Sequence, residues 1–349
     1  MEWINAPLAS LQEAMQTAAL ERQGQLTKPP GSLGELEAMA VRLAAMQGVE
    51  KPSVDKTQIV VFAGDHGVTE EGVSAFPQVV TGEMIKNFSA GGAAISVLAQ
   101  QQGAEFEVVN VGTVVDLPAL KHVVDATVMK GTANFAHQAA MSPAQLAAAL
   151  KVGKEAAERA HQKGATVFIG GDMGIGNTSA ATALSAWVLD DDANNHVGPG
   201  TGLDAAGVSH KGQVIAAALA KHKAAMTSPL AALQYVGGLE IAALVGAYVR
   251  SAQLGMAILV DGFITTSAAL IAAQIQPQIT SWMFFSHASA EPGHQAMVKA
   301  LGAKPILDLG MRLGEGSGAG VALSILKSAC ATHNHMATFA EAAVSEKSA

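Results

Sequence analysis

Six short apolar runs, rich in β-branched residues, recur between residues 58 and 311: QIVVFAGDHG, EFEVVNVG, ATVFIGGDMG, GMAILVDGF, SWMFFSH and KPILDLGM. Most end in a glycine-bearing loop and lead into an alanine-rich stretch. Their apolar residues are continuous instead of alternating, the pattern of strands buried on both faces of a parallel sheet. Strand–helix alternation then predicts an α/β fold, a Rossmann-like parallel sheet flanked by helices. Composition agrees: of 349 residues half are hydrophobic, 14% are charged and 36 are glycine, which suits a large core and close helix–sheet packing.

Ahead of the first strand, residues 8–23 (LASLQEAMQTAALERQ) carry apolar groups at helical spacing. Lys28-Pro29-Pro30-Gly31-Ser32 breaks that helix, and LGELEAMAVRLAAMQ begins a second. From Ala319 to Glu346 the chain returns to alanine-rich helix, with His333-Asn334-His335 expected at its surface. The two helical ends are expected to pack as a small helical domain, residues 1–50 plus 325–349, beside a large α/β domain of residues 51–324. No repeat of solenoid period is present, and no long linker divides the chain.

Several functions are excluded early. With 21 basic and 29 acidic residues the net charge is −8, so no nucleic-acid partner is expected. Cys330 is the single cysteine, which rules out an intrachain disulfide or a multi-cysteine metal site. The N-terminus lacks a signal-peptide core, and the uncharged stretch Gly262–Ala290 is interrupted by Gln274, Gln276 and Pro277, too soon to span a bilayer. A cytoplasmic protein without a membrane partner is expected.

In open α/β sheets ligands sit beyond the carboxyl ends of the strands, so the loops that follow them hold the candidate chemistry. Gly64-Asp65-His66-Gly67 is either a polar pair at a site or, more plainly, a turn with Asp65 capping a helix and His66 at the surface. Gly170 to Ser179 (GGDMGIGNTS) leads into a helix. Converging backbone N–H groups and the helix dipole there suit a phosphate, although neither GxGxxG nor Gly-Lys-Ser/Thr is present. Leu309 to Gly320 (LGMRLGEGSGAG) presents one carboxylate, Glu315, among glycines: either a general base or a helix-start acid stabilised by the dipole. His287, Glu291 and His294 have no recognised zinc spacing, and Asp190-Asp191-Asp192 reads as a solvated loop in place of a magnesium site. No metal is expected.

Taken together, KPPGSLGELE, GDHGVTEEGVSAFPQVVTGEM, GGDMGIGNTSAA, VGPGTGLD, YVGGLEIAALVGA, LVDGF, SHASAEPGH and LDLGMRLGEGSGAG resemble, in order and spacing, the nicotinate-nucleotide–dimethylbenzimidazole phosphoribosyltransferases. The resemblance spans about residues 8–335. It implies transfer of 5-phosphoribose from nicotinate mononucleotide to a benzimidazole nitrogen, giving α-ribazole 5′-phosphate and nicotinate, by a homodimer with no metal or redox cofactor. By the family motif Glu315 is the general base, flanked by Gly314 and Gly316. Gly174, Gly176, Asn177 and Thr178 match the phosphate-binding loop, and Lys211 and Ser289 match positions near the phosphoribosyl group. Asp172 stands where the family usually has Glu, and Phe76 and Met84 fall where some relatives carry smaller or polar groups lining the aromatic-base pocket. The weighed alternatives are an NAD-dependent oxidoreductase, which lacks its glycine fingerprint here, and a metal-dependent nucleotide hydrolase using Asp65, His66, His287 and His294.

Overall fold

The computed structural model describes residues 2–345. Helices α1 (Glu13–Gln25) and α2 (Glu35–Gln47) precede strand β1 (Thr57–Gly64). Helices α3 (Val79–Ala90) and α4 (Ala94–Gln102) lead to β2 (Glu105–Gly112) and β3 (Val123–Asp125). There follow α5 (Pro143–Gln162), β4 (Val167–Met173), α6 (Asn177–Leu189), α7 (Ala205–His222), α8 (Pro229–Val236) and α9 (Leu239–Gln253). The chain continues through β5 (Ala257–Val260), α10 (Phe263–Ile275), β6 (Met283–His287), α11 (Pro292–Ala300), β7 (Pro305–Leu307), α12 (Ser317–His335) and α13 (Phe339–Ala342).

All the strands pair in parallel, in the order β3-β2-β1-β4-β5-β6-β7, so the α/β expectation holds. Every residue of β1 is buried, as its unbroken apolar run requires. The six apolar runs become six strands. The seventh, β3, was not anticipated: it is a three-residue edge strand, half-buried at Val123 and Val124 and exposed at Asp125. Helix starts are written locally. Ser142 and Gln145 form a capping box on α5 with Pro143 in the first turn, and Asp204 and Ser228 cap α7 and α8.

The chain ends depart from expectation in three places. Helix α1 starts at Glu13, not residue 8, because the preceding segment runs along α9, where the Ala9 amide donates to the Ala252 carbonyl at 3.1 Å. The C-terminal helix is interrupted at 336–338, where Thr27 donates to Ala337 at 3.0 Å and Leu26 bridges Thr338. His333 is fully buried: its Nδ1 meets Gln23 Nε2 at 2.8 Å and its Nε2 meets the Glu50 carbonyl at 2.9 Å. These contacts, with Arg22 donating to the carbonyls of His333 and Asn334, fasten the two chain ends together. Met1 and residues 346–349 of the proposed terminal domain lie outside the described residues, and α12 runs unbroken through its boundary at 325.

Candidate active site

Strand order reverses between β1 and β4, which makes their carboxyl ends the natural crevice. That crevice is plugged. Asp65, His66 and Glu240, the second residue of α9, are all fully buried there, with His66 Nε2 2.7 Å from Glu240 Oε1. Asp65 Oδ2 accepts from the Val114 amide at 2.8 Å, fixing the loop after β2 instead of capping a helix. The surface reading of His66 and the capping reading of Asp65 are thus corrected. Glu240, the partner of His66, lies 174 residues on from it, beyond the reach of local pattern.

The open cavity, about 330 Å³, lies beside the plug, over the carboxyl ends of β4, β5 and β6. Asp172, Asn177, Thr178, Ser289, Gly314 and Phe76 line it, six of the residues expected in the site. A cavity of about 340 Å³ between α2 and the amino ends of β6 and β7, lined by Arg42 and Phe284, lies away from the loops that carry the chemistry.

One side of the open cavity suits an anion. Helix α6 starts after Gly176, which has φ +94° and offers no side-chain cap. The amides of Asn177 and Ser179 turn back to the carbonyls of Gly174 and Gly176, both at 3.0 Å, so the two glycines shape the helix start while Asn177 and Thr178 face the cavity. Lys211 stands behind Thr178, donating to its Oγ1 at 2.6 Å. Burial lowers the Lys211 ammonium to about 8, opposed by the neighbouring Glu291 carboxylate. Ser289 closes this side; its amide donates to His294 Nδ1 at 3.1 Å, and burial, aided by His287, depresses His294 to about 4.

Against the other side lie two carboxylates, of which Asp172 lines the cavity and Glu315, next to the lining residue Gly314, does not. Glu315 has φ +65°, a left-handed conformation that costs a non-glycine residue about 1–3 kcal/mol and must be imposed by its surroundings. Its amide donates to the Asp172 carbonyl at 3.2 Å, and its Oε2 accepts from the Ile95 amide at the start of α4 at 3.3 Å. The loop lies so close to β4 that a Cβ on Gly171 would collide with the Glu315 carbonyl, so glycine is required there. Burial raises the Glu315 carboxyl, the Ile95 amide opposes this, and the Asp261 charge adds to it. Asp172 is pushed well above the usual carboxylate range by burial and by the charges of Asp261 and Glu240, while the Asn177 amide, 2.9 Å from its Oδ2, works against them.

Gly316 sits beneath the cavity at the start of α12. Met84, on α3, is half-buried and packs against the core; it is not among the residues lining this cavity. Three titratable lining residues were not singled out as substrate contacts: Arg312, which donates to the Gly200 carbonyl at 3.0 Å; Glu291, whose buried Oε2 has no hydrogen-bond partner; and His287, 3.8 Å from Asp261. Arg312 stands three residues before Glu315 in the same glycine-rich loop, a signal that could have found it. Asp190 ends α6 and Asp192 caps the next turn, so the acidic triplet is a structural loop. Among the described residues no helix is long and apolar enough to cross a membrane.

A family model described as "Phosphoribosyltransferase" matches residues 8–344, which makes this α/β protein an enzyme of that class. Relatives named nicotinate-nucleotide–dimethylbenzimidazole phosphoribosyltransferase include one from Ectopseudomonas mendocina (strain ymp), 53% identical over 99% of both chains. Another, from Pseudomonas aeruginosa (strain UCBPP-PA14), is 54% identical over 100% of this chain and 99% of its own. The crystal structure of CobT from Thermus thermophilus superposes with a TM-score of 0.92 at 44% identity, covering 96% of this chain and all of that one. The chain belongs to the nicotinate-nucleotide–dimethylbenzimidazole phosphoribosyltransferase family.

Proposed function

We propose that this enzyme transfers 5-phosphoribose from nicotinate mononucleotide to 5,6-dimethylbenzimidazole or a related aromatic base, releasing nicotinate and α-ribazole 5′-phosphate, with Glu315 as general base. The observation that carries this reading is Glu315 itself: a carboxylate 6% exposed, held in a costly backbone conformation beside a wall of the cavity.

The nucleotide phosphate lies at the start of α6, within reach of Thr178, Ser289 and the Lys211 charge. Phe76 and Leu313 supply apolar surface for a flat ring. One ring nitrogen of the acceptor attacks the anomeric carbon from the face opposite nicotinate, which inverts that carbon. The C–N bond to nicotinate breaks with its electron pair returning to the pyridine nitrogen, so the ring departs uncharged at that nitrogen and needs no acid. Positive charge gathers on the acceptor, its second nitrogen becomes acidic, and Glu315 takes that proton. A positioned base contributes on the order of 10²–10⁴-fold, or roughly 3–5 kcal/mol; alignment of the two rings about the sugar carbon supplies the rest. This sequence of steps calls for no metal or redox cofactor.

The same reading includes a cytoplasmic homodimer and the division into a large domain, 51–324, and a small helical one from both chain ends. Sedimentation equilibrium and limited proteolysis test the dimer and the division. The activity is tested by mixing the protein with nicotinate mononucleotide and 5,6-dimethylbenzimidazole and following both products by chromatography and mass. Equal release of nicotinate and the riboside phosphate is expected. Nicotinate without the riboside would mean hydrolysis or another acceptor, and no nicotinate would refute the donor.

A further inference from the structure

Asp261 takes no part in the steps above, yet it is built into the loop that carries the base. It follows β5, is 1% exposed, and lies 55 residues ahead of the first group it touches in that loop. Its Oδ2 accepts from the Gly316 amide at 3.2 Å and its Oδ1 from the Ala319 amide at 2.8 Å. Each oxygen therefore holds one backbone group of the first turn of α12, immediately after Glu315. On the other flank of the loop, Glu315 donates to the Asp172 carbonyl, and Ser317 Oγ donates to the Gly314 carbonyl at 2.7 Å. The left-handed backbone of Glu315 is thus gripped from both sides, and Asp261, from the loop after β5, grips the turn that follows it.

We propose that Asp261 is the positioning residue of the general base: its carboxylate fixes the start of α12 so that Glu315 is held in its left-handed conformation beside the cavity wall at Gly314. The inference rests on the reading of Glu315 as the base. Asp261 acts through the helix start and touches no substrate.

The arrangement has an electrical consequence beyond the mechanical one. The groups facing this corner are Asp172 from β4, Glu240 and Tyr248 from α9, His287 from β6 with His294 of α11 stacked on it, and the Ile95 amide of α4 that donates to Glu315. Burial raises Asp261 itself, while His287 and the amides of Gly316, Gly318 and Ala319 oppose that rise and favour its charge. A negative Asp261 disfavours a negative Glu315, adding to burial in keeping the base's proton affinity high. Positioning and tuning therefore come from the same carboxylate, and a change confined to packing would move only the first.

The test is the pH dependence of kcat, with KM for nicotinate mononucleotide, in Asp261→Asn beside wild type and Glu315→Gln. The amide can accept only one of the two N–H bonds and carries no charge. The expected result is a fall in kcat of about ten- to a hundredfold, the scale of a misplaced reacting group. KM for the nucleotide should stay within about twofold. The acidic limb of the kcat profile should move to lower pH, because Glu315 loses a neighbouring negative charge. Asp261→Ser, smaller and still an acceptor, provides the same readings if the asparagine variant does not fold. Wild-type kcat with an unmoved limb overturns the inference, and so does a joint loss of kcat and nucleotide affinity with the limb in place. Failure of both variants to fold would assign Asp261 to the fold alone. If Glu315→Gln is inactive while Asp261→Asn is wild type, only this inference falls. If Glu315→Gln keeps full turnover, the reading of the base is at fault and the inference falls with it.

Discussion

Two helix starts face each other at the cavity, and the backbone leads into them in the same way. Helix α6 begins after Gly176 at φ +94° and α12 after Gly316 at φ +91°, and neither N-cap glycine brings a side chain. At α12 the gap is filled from below, where the Asp261 carboxylate takes two amides of the first turn. At α6 the Asp172 carboxylate is engaged with the Asn177 side chain instead, 2.9 Å away. One positive helix end thus meets a carboxylate of the protein's own, and in the proposed function the other takes the phosphate of the nucleotide. On that reading a glycine-led helix start does not by itself specify a phosphate site; the carboxylate beneath it decides.

The comparison breaks most sharply at Glu315. Glu315→Gln should lower kcat by about 10²–10⁴-fold with the fold retained, as steady-state rates and circular dichroism would report. Near-wild-type turnover would move the base elsewhere, with Asp172 the next candidate.

At α6 the shape of the start is the weak point. Gly176→Ala places a Cβ at positive φ and 2.7 Å from Thr69 Cγ2, which should cost about 1–3 kcal/mol of stability and raise KM for the nucleotide. Thermal melting and nucleotide titration check the two effects separately. A variant with both values unchanged would show that this start does not shape the phosphate site.

Lys211→Ala should raise KM for the nucleotide about tenfold, roughly 1.4 kcal/mol, with a smaller change in kcat. Because the Lys211 ammonium lies at about 8, the cation is present below that pH and lost above it. KM in the wild type should accordingly climb as pH rises through 8, and a flat profile would remove Lys211 from the site.

The smallest effect serves as a control. Gln23→Ala deletes the 2.8 Å bond to His333, far from the cavity, and should cost about 1 kcal/mol in a melting experiment while kcat is unchanged. A fall in kcat there would mean that lost stability alone mimics the active-site variants.

How much of this was legible in the sequence follows from the range of the forces involved. Strands β1, β2 and β4 to β7 were readable because burial on both faces writes an unbroken apolar run, whereas β3 buries too little to leave one. Asn177 and Thr178, which line the cavity, and Glu315, which stands beside it, were singled out by glycine spacing and family motif. The conformation of Glu315 was not, since φ +65° is imposed by Asp172 and by the turn that Asp261 anchors. Asp261 stood in plain view in LVDGF, but its partners lie 55 and 58 residues away. His66 and His333 were misread for the same reason. A buried histidine looks like a surface one until its partner is known, and theirs, Glu240 and Gln23, are 174 and 310 residues distant. Local pattern records which face of an element is buried, and long-range polar pairing leaves no periodic trace.

The central claim, that Glu315 takes the acceptor's proton, is tested most directly by single-turnover rates against pH for wild type and Glu315→Gln with saturating substrates. Burial and Asp261 both raise the Glu315 carboxyl, so the wild-type rate should climb with pH through a midpoint above the ordinary glutamate range. In Glu315→Gln that limb should vanish, leaving a low, flat rate. A variant that keeps the limb at its wild-type position would show that another group is the base.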